Sequence, residues 1–383
     1  VVEAVRSQNL FGVGGPKVSA LEKEFASLYG AKHAVASTSG TAAIHIALGM
    51  INPEPGDEII IASITDAGSV IPVVFQNCIP VFADVDETYN MDPEDVERKI
   101  TGRTAAIMVV HLFGNACNMN KIQDIANRHG IPLIEDCSQA HATLYNGKYL
   151  GVRGDVSVFS LQQSKHMTTG DGGMTITNRD VWAERMFLFR NKGWTQELGR
   201  ASRRYALLAP NYRMTELQGA VGLPQVRKVR SVVEKRIKLG TYLSELISDI
   251  EGVSAPPITK GSEHSYWLYP VQIDHWQVDK FSEALTAEGV VASAGYIGLP
   301  IFLCMEALAA KNTFGTSSHP FDGCHGAREI QYCEGMCPRA EKALRHMLTI
   351  SIIETFNRKD IEDIADAVRK VAELLPREDL IPA

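Results

Sequence analysis

The stretch "VSVFSLQQSKHMTTGDGGM", residues 156–174, sets a single lysine between an apolar run and a series of hydroxyl residues and glycines. At the edge of an apolar strand an amine loses hydration, which lowers its pKa and makes Lys165 a nucleophile toward a carbonyl carbon. Ser160, five residues upstream, offers a hydroxyl to a phosphate, while Gly170, Gly172 and Gly173 admit close backbone approach. A solvated surface lysine is the plain alternative; the company at other strand ends speaks against it.

In "STSGTAAIHIAL", Ser37, Ser39, Gly40 and Thr41 follow a strand and open a helix. Free N–H groups, hydroxyls and the helix dipole favour a phosphate there, although the same residues also make an ordinary helix cap. "IPLIEDCSQAHA" ends a buried run in Glu135 and Asp136, with Gln139 and His141 beyond. A carboxylate in that place is costly unless it meets a cation, such as a protonated ring nitrogen of a cofactor, or caps the next helix. In "APNYRMTELQGAVG", Asn211, Tyr212 and Arg213 precede a long helical stretch, and Arg213 suits a bidentate carboxylate or phosphate, or an ion pair at the helix entry. "FGVGGP" holds Gly12, Gly14 and Gly15 but follows no strand and precedes a proline, which argues against a dinucleotide fingerprint.

The elements that must position these residues follow from the pattern around them. From about residue 33 to 180, the runs "HAVAST", "DEIIIAS", "IPVFADV", "TAAIMVVHLFG", "IPLIEDCS", "VSVFSLQ" and "GGMTITN" alternate with helical windows such as "MDPEDVERKI" and "MNKIQDIANRHG". That alternation predicts βα units on a mostly parallel sheet, with ligands at the carboxyl ends of its strands. "NYRMTELQGAVGLPQVRKVRSVVEKRIKLGTYLSELI" predicts a long connecting helix interrupted by Pro224; "SYWLYPVQI" reads as a strand and "NRKDIEDIADAVRKVAELL" as an amphipathic helix. Two units are expected: a large α/β domain with its connecting helix over 1–235, and a smaller C-terminal α+β domain over 236–383.

A chain of 383 residues with 45% hydrophobic and 22% charged residues can bury large cores, and its charge of −7 is spread without long runs of one sign. Nucleic acid and membrane surfaces are therefore disfavoured as partners, and small soluble molecules are expected. Seven scattered cysteines, with no signal peptide or membrane-length apolar span, fit a reducing cytoplasm. The chain opens at Val1, without methionine and on a helical stretch, which predicts residues upstream of it. His319, Cys324, His325, Cys333 and Cys337 match no standard zinc spacing, so loop or buried thiols are expected and no metal.

Together "LEKEFASLYGAKHAVASTSGTAAIHIAL", "IPVFADVD", "HLFGNACNM", "IEDCSQAHA", "FSLQQSKHMTTGDGG" and "NYRMTELQGAVGL" resemble, in order, the DegT/DnrJ/EryC1/StrS family of sugar aminotransferases. These are pyridoxal-phosphate enzymes with the aspartate aminotransferase fold, a large domain around a mostly parallel sheet and a smaller α+β domain. The resemblance implies that Lys165 forms the Schiff base with pyridoxal 5′-phosphate and moves protons, and that Asp136 pairs with the ring nitrogen. It implies Gln139 near the ring hydroxyl, and Ser39, Gly40, Thr41, Ser160 and Gln162 as further cofactor-binding residues. Asn211 would reach the neighbouring subunit's cofactor in a homodimer with shared sites.

By the same resemblance an amino donor, glutamate or glutamine, leaves the cofactor as pyridoxamine 5′-phosphate, which aminates a keto or oxo sugar, sugar nucleotide or cyclitol. "QQSK", Gln162 to Lys165, is similar to relatives acting on cyclitols and unusual sugars with glutamine as donor. Asp66 is kept among the cofactor-binding residues although it departs from the family pattern, standing where an aromatic residue commonly stacks on the ring; a carboxylate cannot stack in that way, and a solvated loop aspartate is the plain alternative. Relatives that dehydrate sugars carry histidine in place of the lysine, whereas here Lys165 keeps that place and His166 follows it. A dehydratase, a silent cofactor-bound regulator and a nicotinamide enzyme are the competing readings. The divergent residues from Tyr296 to Cys337 are expected to bear on the choice of acceptor.

Overall fold

A computed structural model of the chain describes residues 1–195 and 202–377. Each of the seven expected β-rich runs contains a strand: β1 (His33–Ser37), β2 (Glu58–Ala62), β3 (Ile79–Ala83), β4 (Thr104–Val110), β5 (Leu133–Asp136), β6 (Val156–Ser160) and β7 (Gly173–Thr177). They form one sheet in the order β1-β7-β6-β5-β4-β2-β3. The β2–β3, β2–β4, β4–β5 and β5–β6 pairs are parallel; β7 runs antiparallel between β6 and β1. β1 thus points the same way as β6, and the carboxyl ends of β1, β2, β4, β5 and β6 lie along one edge. Strands β2, β3, β5, β6 and β7 are buried along their whole length, which explains their continuous apolar runs rather than an alternating pattern.

Helix α1 (Pro16–Tyr29) and α2 (Gly40–Ile51) flank the start of the sheet, and α3 (Glu216–Ile247) is the expected long helix, carrying Pro224 within it. The Thr215 side chain caps α3 in a reciprocal box with Gln218. Glu216, in the first turn of α3, accepts the N–H groups of Lys17 and Val18 at 2.9 and 2.8 Å and so caps α1. This accounts for "FGVGGP": a Cβ on Gly15 would fall 2.3 Å from a Glu216 carboxylate oxygen, and one on Gly12 would fall 1.9 Å from the Met214 carbonyl. Those glycines serve helix packing.

A second, antiparallel sheet joins β8 (Val253–Ser254), β9 (Tyr269–Ile273), β10 (Ala292–Ala294) and β11 (Met347–Ile350) in the order β8-β9-β11-β10. Helix α4 (Arg358–Leu374) covers it together with the far half of α3. The apolar face of α3 changes cores along its length. Val226, Val229 and Val233 belong to the core of the large sheet, and Leu239, Leu243 and Ile247 to that of the small one. This supports, as a proposal, the division near residues 235 and 236. In "SYWLYPVQI" only Tyr269–Ile273 is strand; the four residues before it leave the sheet and turn toward the large unit. Among the described residues no helix is long and apolar enough to cross a membrane.

Candidate active site

Segments following β1, β2, β5 and β6 converge on a cavity of about 510 Å³. Its wall includes nine residues expected from sequence: Ser39, Gly40, Thr41, Asp66, Asp136, Gln139, Ser160, Gln162 and Lys165. Asn211 is outside it, exposed and bridged to Asn191 by backbone pairing.

At one end stands the start of α2. Ser39 is its N-cap and accepts the Ala42 N–H at 3.0 Å, so the N–H groups of Gly40 and Thr41 keep their place in the first turn without a helical partner. Gly40 has to be glycine, since a Cβ would sit 2.8 Å from that of Ser160 at the end of β6. Helix dipole, two N–H groups and two hydroxyl side chains, Thr41 and Ser160, thus line the same cavity, which suits a phosphate. Here the ordinary cap and the anion cradle are the same structure.

Deeper in the cavity, Asp136 ends β5 and is 3% exposed. Its Oδ2 accepts the Ser69 hydroxyl at 3.1 Å, and its Oδ1 the Ser138 N–H at 3.0 Å. Ser69 is itself paired with Thr65 at 2.8 Å. Burial pushes the Asp136 carboxyl above its usual range despite these donors and the nearby Lys165 charge. A protonated ring nitrogen of a cofactor would supply the missing stabilisation. Gln139, one turn on, accepts the Phe113 N–H at 2.7 Å and donates to the Tyr296 hydroxyl at 3.1 Å.

Lys165 reaches the cavity from the loop after β6. Burial lowers its pKa to about 8, against the pull of Asp136 and Asp66, which favour the ammonium. Its Nζ lies 3.5 Å from the centroid of the Trp267 ring. Trp267 and Tyr296 meet edge to face at 6.1 Å, and Phe113 packs on both. The ring-stacking position expected near Asp66 therefore lacks an aromatic, while an aromatic wall comes from elsewhere. Asp66 instead caps the short turn Ala67–Ser69, accepting the Gly68 N–H at 2.8 Å. Gln162 folds back on Ser164, whose N–H and hydroxyl both donate to its side-chain oxygen at 2.7 Å.

Sequence reasoning missed Ile44, Thr65, Gly68, Ser69, Ser138, Ser164, Asp171 and Trp267 as wall residues, while Tyr296 and Ile297 open the segment that was expected to bear on the acceptor. The hydroxyls of Thr65 and Ser69 were detectable, since they follow strand β2 as Ser39 and Thr41 follow β1. Trp267 and Tyr296 carry no local signal, for they stand more than a hundred residues after Lys165 and pack against a core of the large sheet. His141 and His166, beside Asp136 and Lys165 in sequence, are buried and each bonds a backbone carbonyl, of Ser160 and Ser265 respectively. Burial holds His141 down at about 4 and His166 well below its usual range, so both are uncharged at neutral pH.

Of the Cys/His group at 319–337, Cys337 is buried against the Phe82 carbonyl, while Cys324 and Cys333 are exposed. The one cluster of metal-type donors among the described residues is His111, Glu135 and Cys137. It is internally hydrogen-bonded, with His111 facing Glu135 at 3.3 Å and accepting the Cys117 N–H at 3.1 Å.

The residues present fit pyridoxal phosphate: an anion cradle without a competing side chain, a buried carboxylate short of a cation, and a desolvated amine share one cavity. Comparison with known proteins agrees. Over 264 residues the chain is 38% identical to the GDP-perosamine synthase of Vibrio cholerae, covering 68% of this chain and 70% of that one. It is 29% identical to the L-glutamine:2-deoxy-scyllo-inosose aminotransferase of Streptomyces paromomycinus, over 97% of this chain and 91% of that one. The solved structure of S. venezuelae DesV superposes with a TM-score of 0.86 at 28% identity, covering 98% of this chain and 94% of that one. The model of the DegT/DnrJ/EryC1/StrS aminotransferase family matches residues 1–303. The chain thus belongs to that family, the pyridoxal-phosphate-dependent sugar aminotransferases.

Proposed function

We propose that this chain binds pyridoxal phosphate and uses it to move an amino group from glutamate or glutamine to a carbonyl of a sugar, sugar nucleotide or cyclitol. The observation that carries this reading is the meeting of Lys165, Asp136 and the N-terminus of α2 in one cavity. Pyridoxal phosphate, when bound, supplies an aldehyde that captures amines and a ring that takes up an electron pair. The N–H groups of Gly40 and Thr41 and the Ser160 hydroxyl hold its phosphate. Asp136 keeps the ring nitrogen protonated. Gln139, fixed by Phe113 and Tyr296, stands by the ring hydroxyl. Lys165, as the neutral amine, takes a proton from the donor's α-carbon on Nζ and hands it on. Trp267 and Tyr296 line one side of the cavity, and Phe113 packs on both.

The acceptor class draws support from the wall as well as the relatives. Asp66 and Asp171 bring carboxylates to the cavity, which suit the hydroxyl donors of a sugar or cyclitol. Relatives named for GDP-perosamine synthesis and for 2-deoxy-scyllo-inosose amination bracket the choice. The exposure of Asn211 supports its reaching a second subunit's cofactor in a homodimer. Seven free thiols support a reducing, cytoplasmic setting.

The test is direct. The purified protein, loaded with pyridoxal phosphate, is given glutamate or glutamine while the cofactor's absorption is followed. A spectral change with at least one donor is expected; an unchanged spectrum with both counts against the assignment. Mixed dimers of Lys165→Ala and Asn211→Ala chains should regain activity that neither parent shows, and none regained would remove Asn211 from the shared site.

A further inference from the structure

Trp267 has no part in the chemistry assigned above, yet its ring is held on several sides. Its indole N–H donates to the Ser164 carbonyl and its backbone N–H to the Phe113 carbonyl, both at 2.8 Å. Phe113 stacks on it and Tyr296 meets it edge-on. The ring face so fixed lies 3.5 Å from Lys165 Nζ.

Trp267, Lys165 and Ser164 also line a second cavity, of about 370 Å³, between the loop after β6, helix α3 and residues 351–355. The lysine therefore stands on a partition. On the first side are Asp136 and Asp66, both attracting an ammonium, and Asp171. On the second are Lys228 and Arg236 from α3, with Glu354 holding Arg236 through both Nε and Nη2. His141 and His166, packed behind the loop, are uncharged at neutral pH. Among the described residues no carboxylate lies within ion-pair distance of Lys165 Nζ, so the aromatic face is its nearest seat.

We propose that Trp267 is a positioning residue for Lys165: its indole face seats the free ε-ammonium and keeps it on the Asp136 side of the partition, out of the second cavity. The proposal rests on the role given to Lys165 above. An ammonium over an indole face is attracted to the ring quadrupole, most strongly where water is excluded. Unlike a carboxylate, the ring does not compete for the proton, so the seat holds the amine without taking part in the transfer. Without it, the flexible side chain can turn toward Glu354, away from the reacting atoms.

Reductive methylation of the full, cofactor-free chain with carbon-13 formaldehyde tests this without turnover. The Lys165 signal, assigned by its loss in Lys165→Arg, should be displaced upfield by the indole ring current. Trp267→Leu should abolish that displacement and Trp267→Phe should keep part of it. In the cofactor-loaded protein, Trp267→Leu should lower the rate of the donor half-reaction at saturation by about tenfold or more, with KM little changed and Trp267→Phe restoring most of it. A wild-type Lys165 signal at the position of exposed lysines, or a native rate in Trp267→Leu, overturns the proposal. Should Trp267→Leu fail to fold, the wild-type signal and the Trp267→Phe rate decide. A cofactor spectrum indifferent to both donors would instead overturn the aminotransferase reading, which the cofactor-free signal does not depend on.

Discussion

Glu135 and Asp136 are neighbours on β5, 0% and 3% exposed, and their side chains leave opposite faces of the sheet. On the Glu135 face the carboxylate accepts the N–H groups of Gly151, Arg153 and Gly154 at 3.0, 2.7 and 2.6 Å and the Ser157 hydroxyl at 3.3 Å, and it pairs with His111. Burial pushes this carboxyl up, but His111 and the backbone donors outweigh it and hold the group below its usual range. On the Asp136 face burial prevails over two donors, and the carboxyl stays raised. Two acids of nearly equal burial thus differ in how many donors the fold supplies. The satisfied one staples a loop; the undersupplied one opens on a cavity with a lysine.

That contrast can be broken most forcefully at its cationic end. Lys165→Ala should reduce amino transfer by on the order of a thousandfold or more, measured as the donor half-reaction with glutamate or glutamine. A native rate would sever Asp136 from any chemistry. Asp136→Asn should cost on the order of a hundredfold in the same rate, with the unfolding midpoint in urea almost unmoved. Glu135→Gln should do the opposite, losing about 2 to 3 kcal/mol of stability while the folded fraction keeps its rate within a few-fold. If both variants lost stability and activity alike, the two faces would not be distinct.

The pH dependence sharpens the same point more gently. Lys165 acts as a base only when neutral, so the donor half-reaction should rise about tenfold per unit below a midpoint near pH 8 and level off above it. The Asp136 anion favours the ammonium, so Asp136→Asn should move the midpoint down, and Glu135→Gln should leave it in place. The smallest effect belongs to Asp66→Asn. Removing a more distant, exposed charge that also favours the ammonium should shift the midpoint down by a few tenths of a unit. A shift larger than that of Asp136→Asn would reverse the ranking of the two acids.

Much of this was legible along the chain. Seven apolar runs bounded by turn residues announced the strands, because a doubly covered parallel sheet needs unbroken apolar sequence. Residues just past those strands, from Ser39 to Lys165, announced the site, because parallel strands bring their ends to one edge. The same pattern did not tell Glu135 from Asp136. Adjacent carboxylates at a strand end look alike until the donors from residues 151–157 are folded against one and the turn at Thr65–Ser69 against the other.

By itself, then, the amino-acid sequence determined the element order and the positions of Lys165, Asp136 and the Gly40–Thr41 helix start, which depend on local periodicity and on spacing along one sheet edge, while the family was read from the resemblance of its motifs. The tertiary structure alone decided that Asp66 caps a turn, that Trp267 and Tyr296 wall the cavity, and that Asn211 stays outside it. Those facts hang on contacts between residues far apart in the chain, whose geometry only packing specifies. The lysine's lowered pKa belongs to both: its place at a strand end was written in sequence, while the burial that shifts it arises only in the folded chain.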